Sequence, residues 1–508
     1  MYILVQIRKI INMNFMSHIK VKKTIQVISD DGEILNLESL LILIEKNKKL
    51  LNQIGIKKND VVAIVLDNGI KFISSFFSVI NSCISAPLNP NYSEREFNFY
   101  YSDLKPKVLV TDMKDDHASV KVAKKRKIKI LNLKKNLFEN TKKSLVEYVK
   151  TNNTPLLKDT ALILHTSGTT SKPKMVALSH ENLLSSCKNI TKALELKSKD
   201  KNMILMPSFH IHGIVASILA PLYVGGKVVA LPKFNALSFF NSLDFHKPTW
   251  FTAVPTMLQS LLDREKSNKK IVKNNRLKFI RSSSASLPNH VLEKLEKTFK
   301  VPVIESYGMT EASHQMTTNL LIPLGRKVGS VGVPVGLKVK IVDHNFKNLN
   351  KNEIGEVVIK GRNVLKSYLA EKKINDAAFF KGWFKTGDLG YFDKDGFLYI
   401  TGRIKEIINR GGEKISPKEI DDVFTSYSKV DKAIAFSIQH EKLGEDVCVA
   451  IVLKINLNCT SSELKEYAKN KLAPFKIPKK IVFVKSIPIG ATGKIQRIGL
   501  AKKLGIEK

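Results

Sequence analysis

Short apolar runs alternate with amphipathic stretches over the first 310 residues of the chain. Such runs lie at 61–66 (VVAIVL), 108–110 (VLV), 161–164 (ALIL) and 228–231 (VVAL), and polar or glycine-containing loops follow them. Apolar runs of this length between turn residues indicate buried strands, and strands that alternate with helices indicate an α/β sheet. We therefore predict an α/β fold whose ligands lie at the carboxyl ends of its strands.

The pattern changes after residue 326. Strand-like segments at 338–343, 355–361 and 396–402 follow one another closely with turn signals between them, which predicts a small antiparallel barrel or sheet. Farther on, a Gly-Gly turn and a helix start near Pro417 indicate a boundary rather than a core. We predict two domains, residues 1–404 and 405–508.

Length and composition support a multidomain globular protein. The chain has 508 residues, more than one core usually holds, and 43% of them are hydrophobic. No apolar run is long enough to span a membrane, and the first twenty residues make a poor signal peptide. Met1, Met13 and Met16 all fit as start residues. Four cysteines without metal-binding or C-x-x-C spacing favour a reducing compartment, so we predict a cytoplasmic protein.

The net charge of +37 raises the possibility of nucleic-acid binding. The lysines are scattered, however, and no basic stripe interleaved with aromatic residues accompanies them. This distribution favours a Lys-rich composition, and no nucleic-acid partner is expected. A non-catalytic nucleotide- or nucleic-acid-binding protein stays open as a different class.

The segment HTSGTTSKPKMVALSHENL, residues 165–183, is a candidate phosphate-binding loop between a strand and a helix. Its Gly, Ser and Thr residues expose backbone N–H groups and hydroxyls, and Lys172 and Lys174 add positive charge. Ser179 or His180 would cap the helix that follows. The segment lacks the second Gly-Lys pair of a Walker loop. A solvated Ser/Thr turn is the plain alternative to a nucleotide site.

Six segments, in chain order, resemble the core motifs of the adenylate-forming (ANL superfamily) acyl-CoA synthetases. They are HTSGTTSKPKMV (165–176), FHIHG (209–213), YGMTE (307–311), KTGD (385–388), GRIKEIINRGGEKISP (402–417) and GATGKIQR (490–497). The resemblance implies a large N-terminal domain of packed sheets with helices plus a small antiparallel barrel, followed by a small mobile α+β C-terminal lid. It implies an AMP-forming acid–CoA ligase that uses ATP, Mg²⁺ and coenzyme A.

The same resemblance assigns residues to ATP. Adenylation brings two anions together, so the site needs cations and donors where charge develops. Thr310 would bind the α-phosphate, and Glu311 would bind Mg²⁺, which prefers oxygen ligands. Asp388 and Arg403 would hold the ribose. The β- and γ-phosphates and the adenine would be bound by Thr166, Ser167, Gly168, Thr169, Thr170, Lys172 and Lys174, and by Glu305, Ser306 and Tyr307, respectively.

The C-terminal motifs carry the remaining catalytic predictions. Lys494 would bridge the attacking carboxylate and the α-phosphate as a point cation, although a solvated loop lysine is the plain alternative. Lys405 falls at the family's hinge. Gly411, Gly412 and Lys414 would face CoA and the nucleotide in successive states.

Within the superfamily, four segments are similar to oxalate–CoA ligases: residues 86–103, 282–296, 305–314 and 327–336. Relatives that accept aryl or fatty acids commonly show Gly-Ala-Ala-Pro where this chain has Ser-Ser-Ala-Ser at 283–286. Hydroxyls there would be unpaired beside an acyl chain but useful beside a second carboxylate.

We predict that Ser284, His314 and His210 bind the acid, with His210 also in a catalytic position, and that the acid is oxalate or a similar small dicarboxylate. Two features keep alternatives open: NRGGEK also resembles aryl-acid ligases, and YGMTE replaces the YAMTE common in oxalate enzymes. The open alternatives are a medium-chain fatty acid or aryl-acid CoA ligase and an adenylation module that loads a carrier protein. Oligomeric state is not predicted.

Overall fold

The computed structural model describes residues 15, 24–133, 155–166, 173–321, 325–488 and 497–507. Its strands are β1 (Gln26–Ser29), β2 (Ile34–Asn36), β3 (Val61–Val65), β4 (Ile84–Pro87), β5 (Val108–Thr111), β6 (Lys129–Asn132), β7 (Thr160–Thr166), β8 (Lys174–Ser179), β9 (Lys201–Ile204), β10 (Lys227–Ala230), β11 (Trp250–Ala253), β12 (Phe279–Ser283), β13 (Val303–Met309), β14 (His314–Thr318), β15 (Val333–Pro334), β16 (Lys338–Val342), β17 (Gly355–Lys360), β18 (Phe379–Phe380), β19 (Trp383–Phe392), β20 (Leu398–Arg403), β21 (Ile408–Arg410), β22 (Glu413–Ile415), β23 (Val430–His440), β24 (Gly444–Leu453) and β25 (Lys480–Phe483).

Helices connect these strands throughout the described ranges. They are α1 (Leu37–Gln53), α2 (Ile70–Ile80), α3 (Glu94–Leu104), α4 (Ala118–Lys125), α5 (His180–Ala193), α6 (Ala220–Tyr223), α7 (Phe239–His246), α8 (Pro255–Leu262), α9 (Lys269–Lys273), α10 (Asn289–Phe299), α11 (Lys372–Ala378), α12 (Pro417–Thr425), α13 (Ser461–Lys469) and α14 (Leu500–Lys503). Within those ranges, every helix is too short or too polar to span a bilayer.

Local sequence signals fix several helix starts. Ser179 caps α5 by a capping box in which its hydroxyl accepts from the Asn182 N–H while the Asn182 side chain accepts from the Ser179 N–H. Ser93 and Glu96 form the same box at α3. Ser179 is thus the cap of the helix that follows the predicted phosphate loop.

Two large sheets share one apolar core. Their strand orders are β15-β14-β13-β12-β11-β9-β10-β1-β2 and β6-β5-β3-β4-β7-β8, with mostly parallel interior pairs. Helix α2 contacts β1 of one sheet and β3 and β4 of the other, and all its residues from 72 to 80 are buried. The helix therefore lies between the two sheets and is buried on all sides, with its phenylalanine, isoleucine and valine side chains in their shared core. The predicted α/β fold is confirmed.

A third sheet follows in the chain, with the order β16-β17-β19-β18 and with β20 paired to β19. All its pairs are antiparallel. It corresponds to the small antiparallel unit that the close spacing of strands after residue 326 predicted.

A separate C-terminal domain has its own sheet and core. Strands β22, β21, β24 and β23 form an antiparallel sheet, and β25 joins β24 in parallel. Its core contains Ile408, Ile420, Phe424 and Val449, all fully buried. The first of these strands begins at Ile408, and the predicted boundary between residues 404 and 405 stays a prediction.

Arg497 ties the segment 497–507 to the rest of the C-terminal domain. Its guanidinium contacts the Asp421 carboxylate of α12 at 2.8 Å and 3.2 Å and the Glu406 carboxylate at 3.2 Å. It also donates to the carbonyl of Ala435 in β23. Because Arg497 and Asp421 are both largely buried, neither charge finds a substitute partner in water.

We expect Arg497→Met to lower the free energy of unfolding of the C-terminal domain by about 3–5 kcal/mol, because it leaves the Asp421 carboxylate buried and unpaired. The measurement is chemical denaturation of the full chain, with unfolding of the C-terminal domain detected by its sensitivity to trypsin. The double variant Arg497→Met/Asp421→Asn should recover part of the loss, since it removes the stranded charge. A loss below about 1 kcal/mol, the value typical of an exposed pair, would contradict this role.

Candidate active site

The hairpin of β13 and β14 carries six of the predicted nucleotide- and acid-binding residues, namely Glu305, Ser306, Tyr307, Thr310, Glu311 and His314. Strand β13 ends at Met309, a short turn contains Thr310 and Glu311, and β14 begins at His314. Glu305 and Tyr307 lie two residues apart on β13 and therefore point to the same side of the strand. Predicted site residues from 305 to 314, a span of ten residues, are thereby gathered in one hairpin.

The predicted ribose and adenine residues form one contact group. The Tyr307 hydroxyl donates to the Asp388 carboxylate, and the Arg403 Nε donates to Asp388 Oδ1 at 2.7 Å. Asp388 and Arg403 face each other across the pairing of β19 with β20. The pKa of Tyr307 is raised well above its ordinary value, mainly by burial and secondly by the negative charge of Asp388, so the phenol stays neutral. The structure thus joins the first and third sheets at these residues.

Glu305 is a buried carboxyl beside this group. Its Oε1 accepts from the Leu287 N–H at 3.0 Å, and its Oε2 has no partner among the described residues. Burial raises the pKa of Glu305 to about 7. Ser306, on the opposite side of β13, donates to the Ser282 carbonyl at 3.4 Å.

Tyr368 connects the predicted magnesium and phosphate residues. Its hydroxyl donates to Glu311 Oε1 at 2.8 Å, and the Lys174 Nζ lies 4.7 Å from the centre of its ring. Burial, followed by the Glu311 charge, raises the pKa of Tyr368, which therefore remains a donor. Tyr368 was not among the predicted site residues, because it belongs to none of the six motifs.

The donor set around Glu311 fits Mg²⁺ bound together with a nucleotide. The described residues contain no group of three or more His, Cys, Asp or Glu side chains arranged around a metal site. Glu311 supplies a carboxylate, and Mg²⁺ is commonly held by one or two carboxylates, with substrate phosphates and water completing its shell. A site in which protein side chains supply every ligand of the ion is thus not required.

The phosphate loop itself is only partly described. Thr166 and Lys174 face each other in the β7–β8 pairing, and the Thr166 hydroxyl lies 3.5 Å from the Lys174 carbonyl. The other predicted phosphate residues and the predicted catalytic lysine lie outside the described residues, namely Ser167, Gly168, Thr169, Thr170, Lys172 and Lys494.

A buried polar cluster lies where the acid was predicted to bind. His212 is fully buried at the start of a π-helix, His212–Leu219. Its Nδ1 lies 3.0 Å from Ser284 Oγ and its Nε2 lies 2.6 Å from Thr252 Oγ1. Its ring stacks on His314 with centroids 4.5 Å apart. Ser284 and His314 are thereby brought together.

His212 was not among the predicted residues, whereas His210 was. His210 is half-buried, and its Nδ1 accepts from the His212 N–H at 3.4 Å. The bond to Ser284 comes from His212, the second histidine of FHIHG. Both histidines are in the motif, and only the helix geometry determines which ring reaches Ser284.

Comparisons with known proteins are consistent with this geometry. The model of the AMP-binding enzyme family matches residues 22–369, and that of the AMP-binding enzyme C-terminal domain matches residues 419–494. The chain belongs to the AMP-binding enzyme family. The predicted superfamily, that of the adenylate-forming acyl-CoA synthetases, is therefore confirmed.

Two curated relatives of this AMP-binding enzyme are oxalate–CoA ligases. The one from Arabidopsis thaliana is 42% identical over 88% of this chain and 89% of that protein. The one from Saccharomyces cerevisiae (strain ATCC 204508 / S288c) is 40% identical over 88% of this chain and 87% of that protein. The predicted enzyme class, an AMP-forming acid–CoA ligase, is confirmed by these relatives.

Solved structures share the fold over nearly the whole chain. An ATP-bound RpMatB–BxBclM chimera has a TM-score of 0.89 and 26% identity, covering 97% of this chain and 99% of that one. The o-succinylbenzoate coenzyme A synthetase of Bacillus subtilis, in complex with ATP and magnesium ion, has a TM-score of 0.82 and 28% identity, covering 96% and 98%.

The backbone of this AMP-binding enzyme is unusual at the residues predicted to bind the acid. Ser284, Ser313 and His314 have φ values of 75°, 51° and 90°, in the left-handed region. Residues without glycine's freedom are held there only when their surroundings impose it, and such residues cluster at functional sites. The backbone at Gly308 packs closely against that of His314, since a Cβ built on Gly308 would lie 1.7 Å from the His314 carbonyl oxygen. This close packing contributes to the conformation of His314.

The predicted hinge and CoA residues lie at the start of the C-terminal domain. Lys405 is exposed in a short turn, Ile404–Glu406, and Lys414 is exposed on β22. Gly411 and Gly412 form the β21–β22 turn with φ values of 58° and 96°, and the Gly411 N–H donates to the Leu443 carbonyl at 2.9 Å. Their roles stay predictions.

We expect Gly308→Ala to move the His314 carbonyl away and to lower the free energy of unfolding by about 1–3 kcal/mol, as overpacking does. The KM for the acid should rise more than the KM for ATP, because His314 lies at the acid end. Steady-state kinetics and thermal unfolding test this. Unchanged kinetics with unchanged stability would show that the hairpin tolerates the methyl group.

Glu305→Gln should make unfolding less dependent on pH. Glu305 has a folded pKa of about 7 against an ordinary value of 4.5, so the folded state holds its proton where the unfolded state has lost it. Stability is therefore lost progressively as the pH rises from 4.5 to 7, because the unfolded state gives up a proton that the folded state keeps, and the loss is roughly 3 kcal/mol in all.

The measurement is the difference in unfolding free energy between Glu305→Gln and the unmodified chain at pH 5 and pH 8. The variant should gain relative stability at pH 8, since its amide cannot ionise and still accepts from the Leu287 N–H. A difference that does not vary between the two pH values would contradict the raised pKa.

Proposed function

We propose that this AMP-binding enzyme is an ATP-dependent acid–CoA ligase whose acid is oxalate or a closely similar small dicarboxylate. The observation that supports the acid is the polar wall formed by Ser284, His212 and His314. Hydrogen-bonding groups in such a wall stay unpaired beside an acyl chain, which is unfavourable, whereas a carboxylate pairs with them. Two relatives named oxalate–CoA ligase, at 40% and 42% identity, point to the same acid.

The first step joins the acid to ATP. A carboxylate oxygen attacks the α-phosphorus, the bond to the β-phosphate oxygen breaks, and pyrophosphate leaves. Lys174 and the predicted loop residues would neutralise the departing phosphates, Thr310 would donate to the α-phosphate, and Lys494 would bridge the two reacting anions. Glu311 would hold Mg²⁺ together with the phosphates, and the ion would supply further positive charge there.

The nucleoside would be held where the first and third sheets meet. Asp388 is buried, and its carboxylate is oriented by bonds from Tyr307 and Arg403. A carboxylate fixed in this way can accept from two ribose hydroxyls, while the Tyr307 ring offers a flat apolar face to the base. Glu305, on the same side of β13 as Tyr307, would complete the adenine slot with the oxygen that has no partner among the described residues.

The second step transfers the acyl group to CoA. The CoA sulfur attacks the acyl carbon, AMP leaves with the electron pair of the broken bond, and the thiol proton passes to solvent or a base. We propose that the C-terminal domain rotates about Lys405 between the steps, so that Gly411, Gly412 and Lys414 approach the site. Glycines at this turn keep the backbone free of side chains where a narrow ligand would pass.

A cytoplasmic location forms part of the proposal. All four cysteines are free thiols, and Cys83, Cys187 and Cys448 are buried. Unpaired cysteines in a chain of this length are typical of a reducing compartment.

The deciding experiment measures AMP and pyrophosphate release from Mg-ATP, with and without CoA, for oxalate, malonate, acetate, octanoate, benzoate and coumarate. We expect turnover with oxalate, its loss in Lys494→Ala, and KM values for oxalate that rise roughly 10- to 100-fold in Ser284→Ala and His314→Ala, as a lost bond to a charged group implies.

Ser260→Ala is the matched control, because the Ser260 hydroxyl only donates to a carbonyl of its own helix, Met257 at 2.7 Å. Activity with octanoate or an aryl acid but not with oxalate would keep the ligase and reject the acid. Absence of AMP with every acid would favour a binding protein without catalysis.

A further inference from the structure

A fully buried arginine lies directly behind the polar wall. Arg281, in β12, is 0% exposed. Its Nη1 lies 3.0 Å from His314 Nε2 and 3.2 Å from Thr252 Oγ1, and its Nη2 lies 3.2 Å from Gln315 Oε1. In the described part of the chain it has no acidic partner, and its Nε has no acceptor. Burial lowers the pKa of Arg281 to about 9, which leaves it charged at neutral pH.

The direction of each hydrogen bond in this cluster follows from one fact: a guanidinium donates and never accepts. Because Arg281 donates to His314 Nε2, that nitrogen carries no proton, and the His314 proton is on Nδ1. Arg281 Nη1 lies 3.4 Å from His212 Nε2 as well, and a proton on that nitrogen would face the guanidinium hydrogens. His212 Nε2 therefore accepts the hydrogen of Thr252 Oγ1, 2.6 Å away, while the same Oγ1 accepts from Arg281.

The chain of donors continues to the wall itself. With Nε2 occupied as an acceptor, His212 carries its proton on Nδ1 and donates to Ser284 Oγ at 3.0 Å. The Ser284 hydroxyl, already an acceptor, then keeps its hydrogen for another group. The order Arg281, Thr252, His212, Ser284 therefore directs hydrogens, and not lone pairs, toward the acid.

This polarity distinguishes between acids. A second carboxylate only accepts hydrogen bonds, so it matches a wall of donors, whereas an apolar end would leave those donors unpaired. A buried charge without a counterion is costly, and a dianion nearby offsets that cost better than a monoanion does. Charge and hydrogen-bond direction thus favour the same ligand.

We infer that Arg281 is a specificity-determining positioning residue for the acid. It holds His212 and His314 in their Nδ1-protonated forms and supplies the positive charge that selects a dianionic acid, without touching that acid. The inference deepens the proposed function and rests on it.

The test compares Arg281→Met, which removes charge and donors while keeping a long side chain, with Arg281→Lys, which keeps the charge but not the fork. Kinetics are measured with oxalate and with glyoxylate, which is of similar size but has an uncharged second end. We expect Arg281→Met to raise the KM for oxalate roughly 10- to 100-fold, as loss of a charged bonding group does. Glyoxylate kcat/KM and the KM for ATP should change much less, and Arg281→Lys should restore part of the oxalate affinity.

A purely structural role gives a different result, namely equal losses for both acids and for ATP without rescue by lysine, and this result would overturn the inference. Arg326→Met is the matched control, because Arg326 is paired with Glu296 and lies in neither the acid nor the nucleotide group. It should leave the oxalate-to-glyoxylate ratio unchanged.

Thr252→Val provides a second variant if Arg281→Met does not fold. It removes the hydroxyl that donates to His212 Nε2 while keeping nearly the same shape, so it should lower the oxalate-to-glyoxylate ratio in the same direction. An unchanged ratio in a folded Thr252→Val protein would overturn the relay. Failure of the proposed function is recognised separately, because the unmodified enzyme would then turn over other acids but not oxalate.

Discussion

A buried positive charge organises the polar cluster where we propose that the acid binds. Arg281 has no counterion among the described residues, so its hydrogen bonds to Thr252, His314 and Gln315 must compensate for the water it has lost. These bonds align two histidine rings, and the rings in turn align Ser284. The specificity proposed for the site thus depends on a residue that lies beneath its surface. At a position open to solvent, water would solvate the arginine and weaken its attraction for the substrate.

The β13–β14 hairpin connects this polar cluster to the predicted nucleotide residues. On one strand, Tyr307 contacts Asp388, another predicted nucleotide residue, and the turn places Glu311 against Tyr368. The next strand starts at His314, in a backbone conformation that the close approach at Gly308 helps to impose. Nucleotide and acid groups are therefore fixed relative to each other by a few covalently connected residues, which suits a reaction that must hold two anions in line.

The C-terminal domain has a different physical design. Its apolar core is separate from that of the two large sheets, and buried ion pairs such as Arg497 with Asp421 hold its segments together. A unit that is stable through internal contacts does not need a large permanent interface with its neighbour. That property is what the proposed rotation between the two chemical steps requires.

Periodicity and motif order in the sequence were enough to predict the α/β fold, the later antiparallel sheet, the separate C-terminal domain and the ligase class. The structural features depend on local patterns, because strands, turns and helix caps are largely encoded by neighbouring residues, whereas the ligase class came from the resemblance of the six motifs to a known family. Ser179 as a helix cap is one example, since a capping box needs only residues three apart. Motif residues such as Asp388 and Tyr307 could likewise be named individually, although not their mutual contact.

Only the tertiary structure determined which polar residues meet at the acid. Thr252, Arg281 and His212 lie 29 to 69 residues apart in the chain, and Tyr368 is 57 residues from Glu311. Arg281 left one trace in the sequence, a charge directly after the apolar pair Phe279 and Ile280 of a buried strand, but its partners are supplied by other strands and by a π-helix. Sequence determined the chemistry available to this protein, and packing of parallel strands, which joins residues distant in the chain, decided where that chemistry is concentrated.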